Sequence, residues 1–160
     1  MAATPDRLSH LDDSGAAHMV DVTGKDATRR TAVATGTLRT RADVVELITT
    51  NGLPKGDALA TARIAGILAA KRTSDLIPLC HQLALTGVDV EFAIGTTDVD
   101  ITATVRTTDR TGVEMEALTA VSVAALTLYD MLKAVDPAAT IDGIAVVRKD
   151  GGKTGTWERQ

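Results

Sequence analysis

Asp130 and Lys133 stand three residues apart in a segment that reads as one long helix, so the two side chains project from neighbouring positions one turn apart. Exposed acid–lysine pairs of this kind are common and contribute little to stability. This pair, however, follows a run from Ala117 to Tyr129 that contains no charged residue. A titratable pair ending such a run is a candidate for proton transfer. Glu114 and Glu116 lie near the start of the same helix, where acids also simply complement the helix dipole. The fourteen residues from Glu116 to Asp130 span roughly 21 Å at ~1.5 Å rise per residue. One compact site cannot take both from one helix, so either the ligand is long or a second subunit completes the site.

His81 follows Cys80 in a turn after Pro78, a setting in which a loop can present side chains to a ligand. No His or Cys recurs at metal-ligand spacing around His81, which argues against a metal centre. Cys80 reads as a small apolar residue more readily than as a nucleophile. Lys55, between Pro54 and Gly56, is either an ammonium presented toward an anion or a solvated loop lysine. The glycine-rich stretch Gly151-Gly152-Lys153-Thr154-Gly155 resembles part of a phosphate loop. Val147 stands where a Walker motif needs glycine, and too few residues follow for the required helix. Lys153 can still meet phosphate from a glycine-rich turn, with a mobile tail as the alternative.

The elements that must carry these groups follow from periodicity. Residues 27–38 are rich in Thr, Ala and Val without helical spacing and read as a strand. Thr40 is a candidate cap for a helix to about Thr49, stopped by Asn51-Gly52, and Asp57 for a second helix to about Arg72. Residues 83–94 and 99–107 read as a hairpin around Gly95–Asp98, and Val88, Val90, Phe92 and Ile94 alternate along its first strand. A helix from about Val113 to Val135 and a strand over 141–148 complete the order. That order predicts an α+β domain of ferredoxin-like, split βαβ type, with helices on one face of an antiparallel sheet. Its expected bounds are 16–155, between a flexible N-terminal tail over 1–15 and a C-terminal tail over 156–160. Because the long helix lacks charge where a two-layer domain normally exposes a polar face, a subunit interface is expected over it.

With 160 residues, 44% of them apolar, the chain suits one core. A net charge of −4 argues against a protein devoted to nucleic acid or an anionic membrane, while leaving room for a local basic pocket. Cys80 is the only cysteine, which excludes an intrachain disulfide and suits a cytoplasmic location. No signal-like segment or uninterrupted apolar run of about 18 residues is present, so no membrane association is expected. Single-stranded RNA binding on the sheet is disfavoured, since of Phe92, Tyr129 and Trp157 only Phe92 falls on a central strand. A non-catalytic ligand-binding oligomer is the main alternative to an enzyme.

Several stretches together resemble the cyclic pyranopterin monophosphate synthase family of molybdenum cofactor synthesis. They are residues 18–22 (HMVDV), 55–66 (KGDALATARIAG), 70–72 (AKR), 75–81 (DLIPLCH), 111–120 (TGVEMEALTA), 129–135 (YDMLKAV) and 151–153 (GGK). The resemblance implies a lyase that rearranges 3′,8-cyclo-7,8-dihydroguanosine 5′-triphosphate into a pyranopterin with a cyclic phosphate, releasing pyrophosphate. It places catalytic roles on Asp130, Lys133 and Lys55, and ligand binding on Leu79, Cys80, His81, Met115 and Glu116. Glu114, Arg63 and Lys153 join the substrate-binding candidates, the last two for phosphate or intermediate stabilisation. The resemblance further implies a homo-hexamer built from dimers, with sites at the dimer interfaces. No cofactor is required, and Mg²⁺ accompanying the triphosphate is left open. The sequence departs from the family pattern at Gln82, where proline commonly follows the loop histidine.

Overall fold

The computed structural model describes residues 10–160; residues 1–9, most of the expected N-terminal tail, lie outside the described residues. Strand β1 (Thr28–Arg39) is followed by helices α1 (Ala42–Thr49), α2 (Ala58–Ala70) and the short α3 (Thr73–Leu76). The hairpin β2 (Leu85–Ile94) and β3 (Asp98–Asp109) leads to the long helix α4 (Glu114–Leu132), then β4 (Thr140–Asp150) and β5 (Trp157–Glu158). The strands form one antiparallel sheet in the order β2-β3-β1-β4-β5. The architecture is α+β, with the main helices packed on the sheet.

Alternation decides which face of the sheet is covered. Ala32, Ala34 and Leu38 on β1, and Val99, Ile101, Ala103 and Val105 on β3, are fully buried, whereas the intervening threonines, aspartates and arginines point away from them. Small residues let α4 approach closely. A Cβ on Gly36 would lie 2.8 Å from Val121 Cγ1, and one on Gly66 of α2 would lie 2.9 Å from the Ala120 carbonyl oxygen. Glycine at these two positions allows the sheet, α4 and α2 to approach closely.

That packing explains why α4 lacks charge. Ala117, Ala120, Val121, Ala124, Ala125, Leu128 and Leu132 are completely buried between the sheet and α2, and Leu126 is the only exposed residue between Ala117 and Tyr129. The chain's own core therefore accounts for the pattern that the sequence suggested belonged to a subunit interface. α4 is also long and apolar enough to cross a membrane by length and composition, but half of that window is buried inside the fold. Exposed apolar surface is found instead on the flank of the helix layer, at Ile64 and Leu68 of α2, Leu76 of α3 and Leu126 of α4.

Three local expectations need correction. Thr40 does not cap α1. Arg41 occupies the cap position without a side-chain hydrogen bond, and the Thr40 hydroxyl donates instead to Asp136 Oδ2 at 2.6 Å, tying the end of β1 to the turn after α4. Asp57 does cap α2, accepting from the Ala60 amide at 3.0 Å. The segment before Pro78 includes the helical turn α3, too short for periodicity to reveal. Finally, part of the expected C-terminal tail is strand, because Trp157 and Glu158 pair with Lys149 and Arg148 of β4.

Candidate active site

Two groups of functional side chains form at opposite ends of α4. At its C-terminal end, Asp130 accepts from two lysines, with Lys55 Nζ 2.7 Å from Oδ2 and Lys133 Nζ 2.8 Å from Oδ1. The i,i+3 spacing brings in Lys133, whereas Lys55 arrives from a loop 75 residues away in sequence. That loop is anchored by buried Leu53 and closed by a turn in which the Gly56 amide donates to the Leu53 carbonyl. Gly56 has a φ of 92°, a conformation that favours glycine, and Lys55 projects from the turn. Hydrogen bonds from Lys133 and then Lys55 hold the Asp130 carboxyl down at about 2. Asp130 in turn raises Lys133. The cluster thus presents exposed ammonium groups organised by a permanently ionised carboxylate.

At the N-terminal end of α4 a cavity of about 380 Å³ is walled by Leu79, Cys80 and His81 from the loop after α3, by Met115 and Glu116 from α4, and by the N-terminal segment around Val20. His81 Nε2 lies 2.6 Å from the Val20 carbonyl oxygen. A carbonyl only accepts, so Nε2 carries the proton in this contact, and the ring is oriented even though Gln82 rather than proline follows it. Glu116 is only 4% exposed. Burial pushes its carboxyl up, its own backbone amide opposes that shift, and the neighbouring Glu114 adds to it. Burial, reinforced by Glu116, also pushes the Cys80 thiol up, which favours the neutral apolar role expected of it over a nucleophilic one.

A second cavity of about 290 Å³ adjoins the first through Lys25, Thr111, Gly112 and Glu114. Five cationic side chains line it, Lys25, Arg30, Arg110, Lys149 and Lys153, against the acids Glu114 and Asp150. Both acids are engaged, Glu114 with Lys149 Nζ at 3.1 Å and Asp150 with Arg148 Nε at 2.9 Å. The buried Nε of Arg30 has no hydrogen-bond partner, which leaves a donor for an anion. Gly151 and Gly152 have φ values of 97° and 78°. Side chains there would press to within 2.3 Å of the Arg29 carbonyl oxygen and Arg30 Nη1, so glycine lets the Lys153 loop lie against Arg30.

The structure thus unites Asp130, Lys133 and Lys55 in one group, and Leu79, Cys80, His81, Glu114, Met115, Glu116 and Lys153 in the other. Arg63 belongs to neither within one chain. Its Nε donates to the Val90 carbonyl at 3.0 Å and its guanidinium stacks 5.4 Å from the Phe92 ring centre, fastening α2 to β2. Sequence reasoning missed Lys25, Arg30, Arg110 and Lys149. Register explains their convergence, since Thr28 pairs with Asp109 and Thr31 with Asp150, which brings the start of β1 and the ends of β3 and β4 to one edge. Among the described residues no cluster of three or more His, Cys, Asp or Glu side chains is arranged to hold a metal.

The model of the MoaC family matches residues 19–152, a span that takes in every member of both groups except Lys153, which directly follows it. The chain belongs to the MoaC family. Similar curated proteins include cyclic pyranopterin monophosphate synthase 2 of Mycobacterium tuberculosis, 76% identical over 96% of this chain and 92% of that protein. The cyclic pyranopterin monophosphate synthases of Streptomyces coelicolor and Corynebacterium glutamicum are 64% and 59% identical, each over 96% of this chain, covering 91% and 99% of their own lengths. Relative to this MoaC-family match, both ends of α4 lie well inside the shared region.

Proposed function

We propose that this MoaC-family chain is a lyase, a cyclic pyranopterin monophosphate synthase acting in molybdenum cofactor biosynthesis. It converts 3′,8-cyclo-7,8-dihydroguanosine 5′-triphosphate into cyclic pyranopterin monophosphate and pyrophosphate. The observation that carries the reading is the junction of two cavities of different character: one with apolar walls and polar groups for a heterocycle, the other lined by five cations for a polyphosphate. Closing the cyclic phosphate forms one bond from a sugar-derived oxygen to the α-phosphorus while the bond to the leaving pyrophosphate breaks. Negative charge then gathers on the departing group, and the cavity lined by Arg30, Arg110, Lys149 and Lys153 supports the assignment of its stabilisation to them. On this reading no resident metal is required, and Mg²⁺ accompanying the triphosphate stays open.

Ring opening and reclosure need proton transfers. Asp130 keeps Lys133 in its ammonium form, so Lys133 enters the cycle as a donor, and Lys55 brings a second ammonium to the other carboxylate oxygen. The two groups are separated by most of the length of α4, roughly 21 Å by helix rise. A substrate in the double cavity of one protomer is therefore completed by the lysine cluster of another, in a homo-oligomer for which we propose the hexamer built from dimers. The exposed apolar flank of α2, α3 and α4 supports association. This reading places the enzyme in the cytoplasm.

Incubation of the purified protein with the cyclised nucleotide tests the reading. Release of pyrophosphate together with a pterin product is the expected result. Tight binding without turnover would establish a ligand-binding oligomer instead.

A further inference from the structure

Lys153 reaches the cationic cavity from a loop whose composition favours looseness. Residues 151–155 (GGKTG) include three glycines, all at positive φ, 97° at Gly151, 78° at Gly152 and 64° at Gly155. Glycine loses more conformational freedom on ordering than any other residue. The base of this loop is nevertheless fastened from both sides. Asp150 ends β4, and its Oδ2 accepts from Arg148 Nε at 2.9 Å while its Oδ1 accepts from Arg148 Nη2 at 3.2 Å and from the Thr156 hydroxyl at 2.8 Å. The bond to Thr156 bridges the loop from its last residue in β4 to the residue that enters β5. Beyond it, Arg148 Nη1 lies 3.2 Å from Glu158 Oε1, and the Arg159 amide and Nε donate to the Val147 and Val146 carbonyls at 2.9 and 2.8 Å. Exposed polar contacts of this kind add little to global stability. Their joint effect falls on the loop that they close.

Resting on the proposed polyphosphate role of the cationic cavity, we infer that Asp150 and Thr156, braced by Arg148, are positioning residues that hold Lys153 toward the pyrophosphate portion of the substrate. An unbraced loop has to be ordered when the anion binds, which subtracts from affinity, whereas a closed loop presents its ammonium already in place. Charge agrees with this role. Asp150 itself lines the cavity, and a free carboxylate there would repel phosphate. Pairing with Arg148 offsets its charge, and hydrogen bonds from Arg148 and then Thr156 hold its carboxyl below the ordinary range, so it remains an acceptor.

The test measures the affinity of inorganic pyrophosphate for the assembled protein by calorimetry, with thermal unfolding to show that each variant is folded. Thr156→Val removes one exposed hydroxyl and keeps the branched shape suited to β5. It should weaken pyrophosphate by about five- to tenfold, the order expected when a long side chain and its loop must be ordered on binding. Thr156→Ser keeps the hydroxyl and should bind like the unaltered protein. Two double-mutant cycles separate positioning from general support. In a Lys153→Ala background Thr156→Val should cause no further loss, because the brace acts through Lys153. In an Asp150→Ala background it should again be silent, because its acceptor is gone. Parental affinity in Thr156→Val, or an undiminished loss in either background, would overturn the inference while leaving the functional reading intact. Failure of the unaltered protein to bind pyrophosphate would overturn the polyphosphate reading of the cavity, and the inference with it.

Discussion

If one protomer supplies the double cavity and another the lysine cluster, two different inactive variants must rescue one another. His81→Ala damages the cavity end, where His81 Nε2 is held 2.6 Å from Val20, and Lys133→Ala removes an ammonium 2.8 Å from Asp130. The fourteen residues of α4 between Glu116 and Asp130 correspond to roughly 21 Å. When the two variants are unfolded together and reassembled in equal amounts, a site is intact only if its cavity comes from a Lys133→Ala chain and its lysine cluster from a His81→Ala chain. Each condition holds for half of random draws, so about a quarter of parental activity should return for any symmetric assembly in which sites are shared pairwise. The readout is pyrophosphate release, with exchange verified by mass spectrometry of tagged subunits. Exchange without recovery above the separate variants would refute the shared site and require each chain to complete its own.

Other expectations follow from the same geometry. Lys133→Ala and Lys55→Ala should each unfold at the parental temperature but lose about a hundredfold or more in turnover, in line with a missing proton-transfer group; unchanged product formation would leave them as solvated surface lysines. Asp130→Asn should lower the Lys133 ammonium from its raised value, moving the alkaline limb of residual turnover to lower pH, and an unmoved limb would dissociate it from Lys133. Glu116→Gln should raise the melting temperature relative to the unaltered protein progressively as the pH rises above about 4.5. The raised carboxyl contributes stability that is fully present below its ordinary value of 4.5 and lost as pH rises through its folded value. A pH-independent difference would contradict this account. Gly152→Ala introduces a side chain at φ 78° and 2.3 Å from Arg30 Nη1, so pyrophosphate inhibition should weaken by about tenfold or more from ~1–3 kcal/mol of strain and displacement. An unchanged inhibition constant would remove the Lys153 loop from the phosphate site.

Local rules made much of this chain readable. Alternation in β1, β2 and β3 sets one face against the helices, Asp57 caps α2 through its own side chain, and the three-residue step from Asp130 to Lys133 is fixed by helix geometry. The motifs around Lys55, His81 and Glu116 were sufficient to indicate the family and therefore the chemistry. Contacts between distant segments were beyond those rules. Thr40 was free to cap α1 until folding brought Asp136 within 2.6 Å, and the uncharged run in α4 became intelligible only when α2 and the sheet enclosed it. The cationic cavity is the clearest case. Arg30, Arg110 and Lys149 sit at the ends of three strands far apart in sequence, and only antiparallel register, decided by which apolar faces bury together, brings their charges to one edge. Periodicity assigns a residue to a face, but neighbours across strands are selected by the packing of the whole sheet.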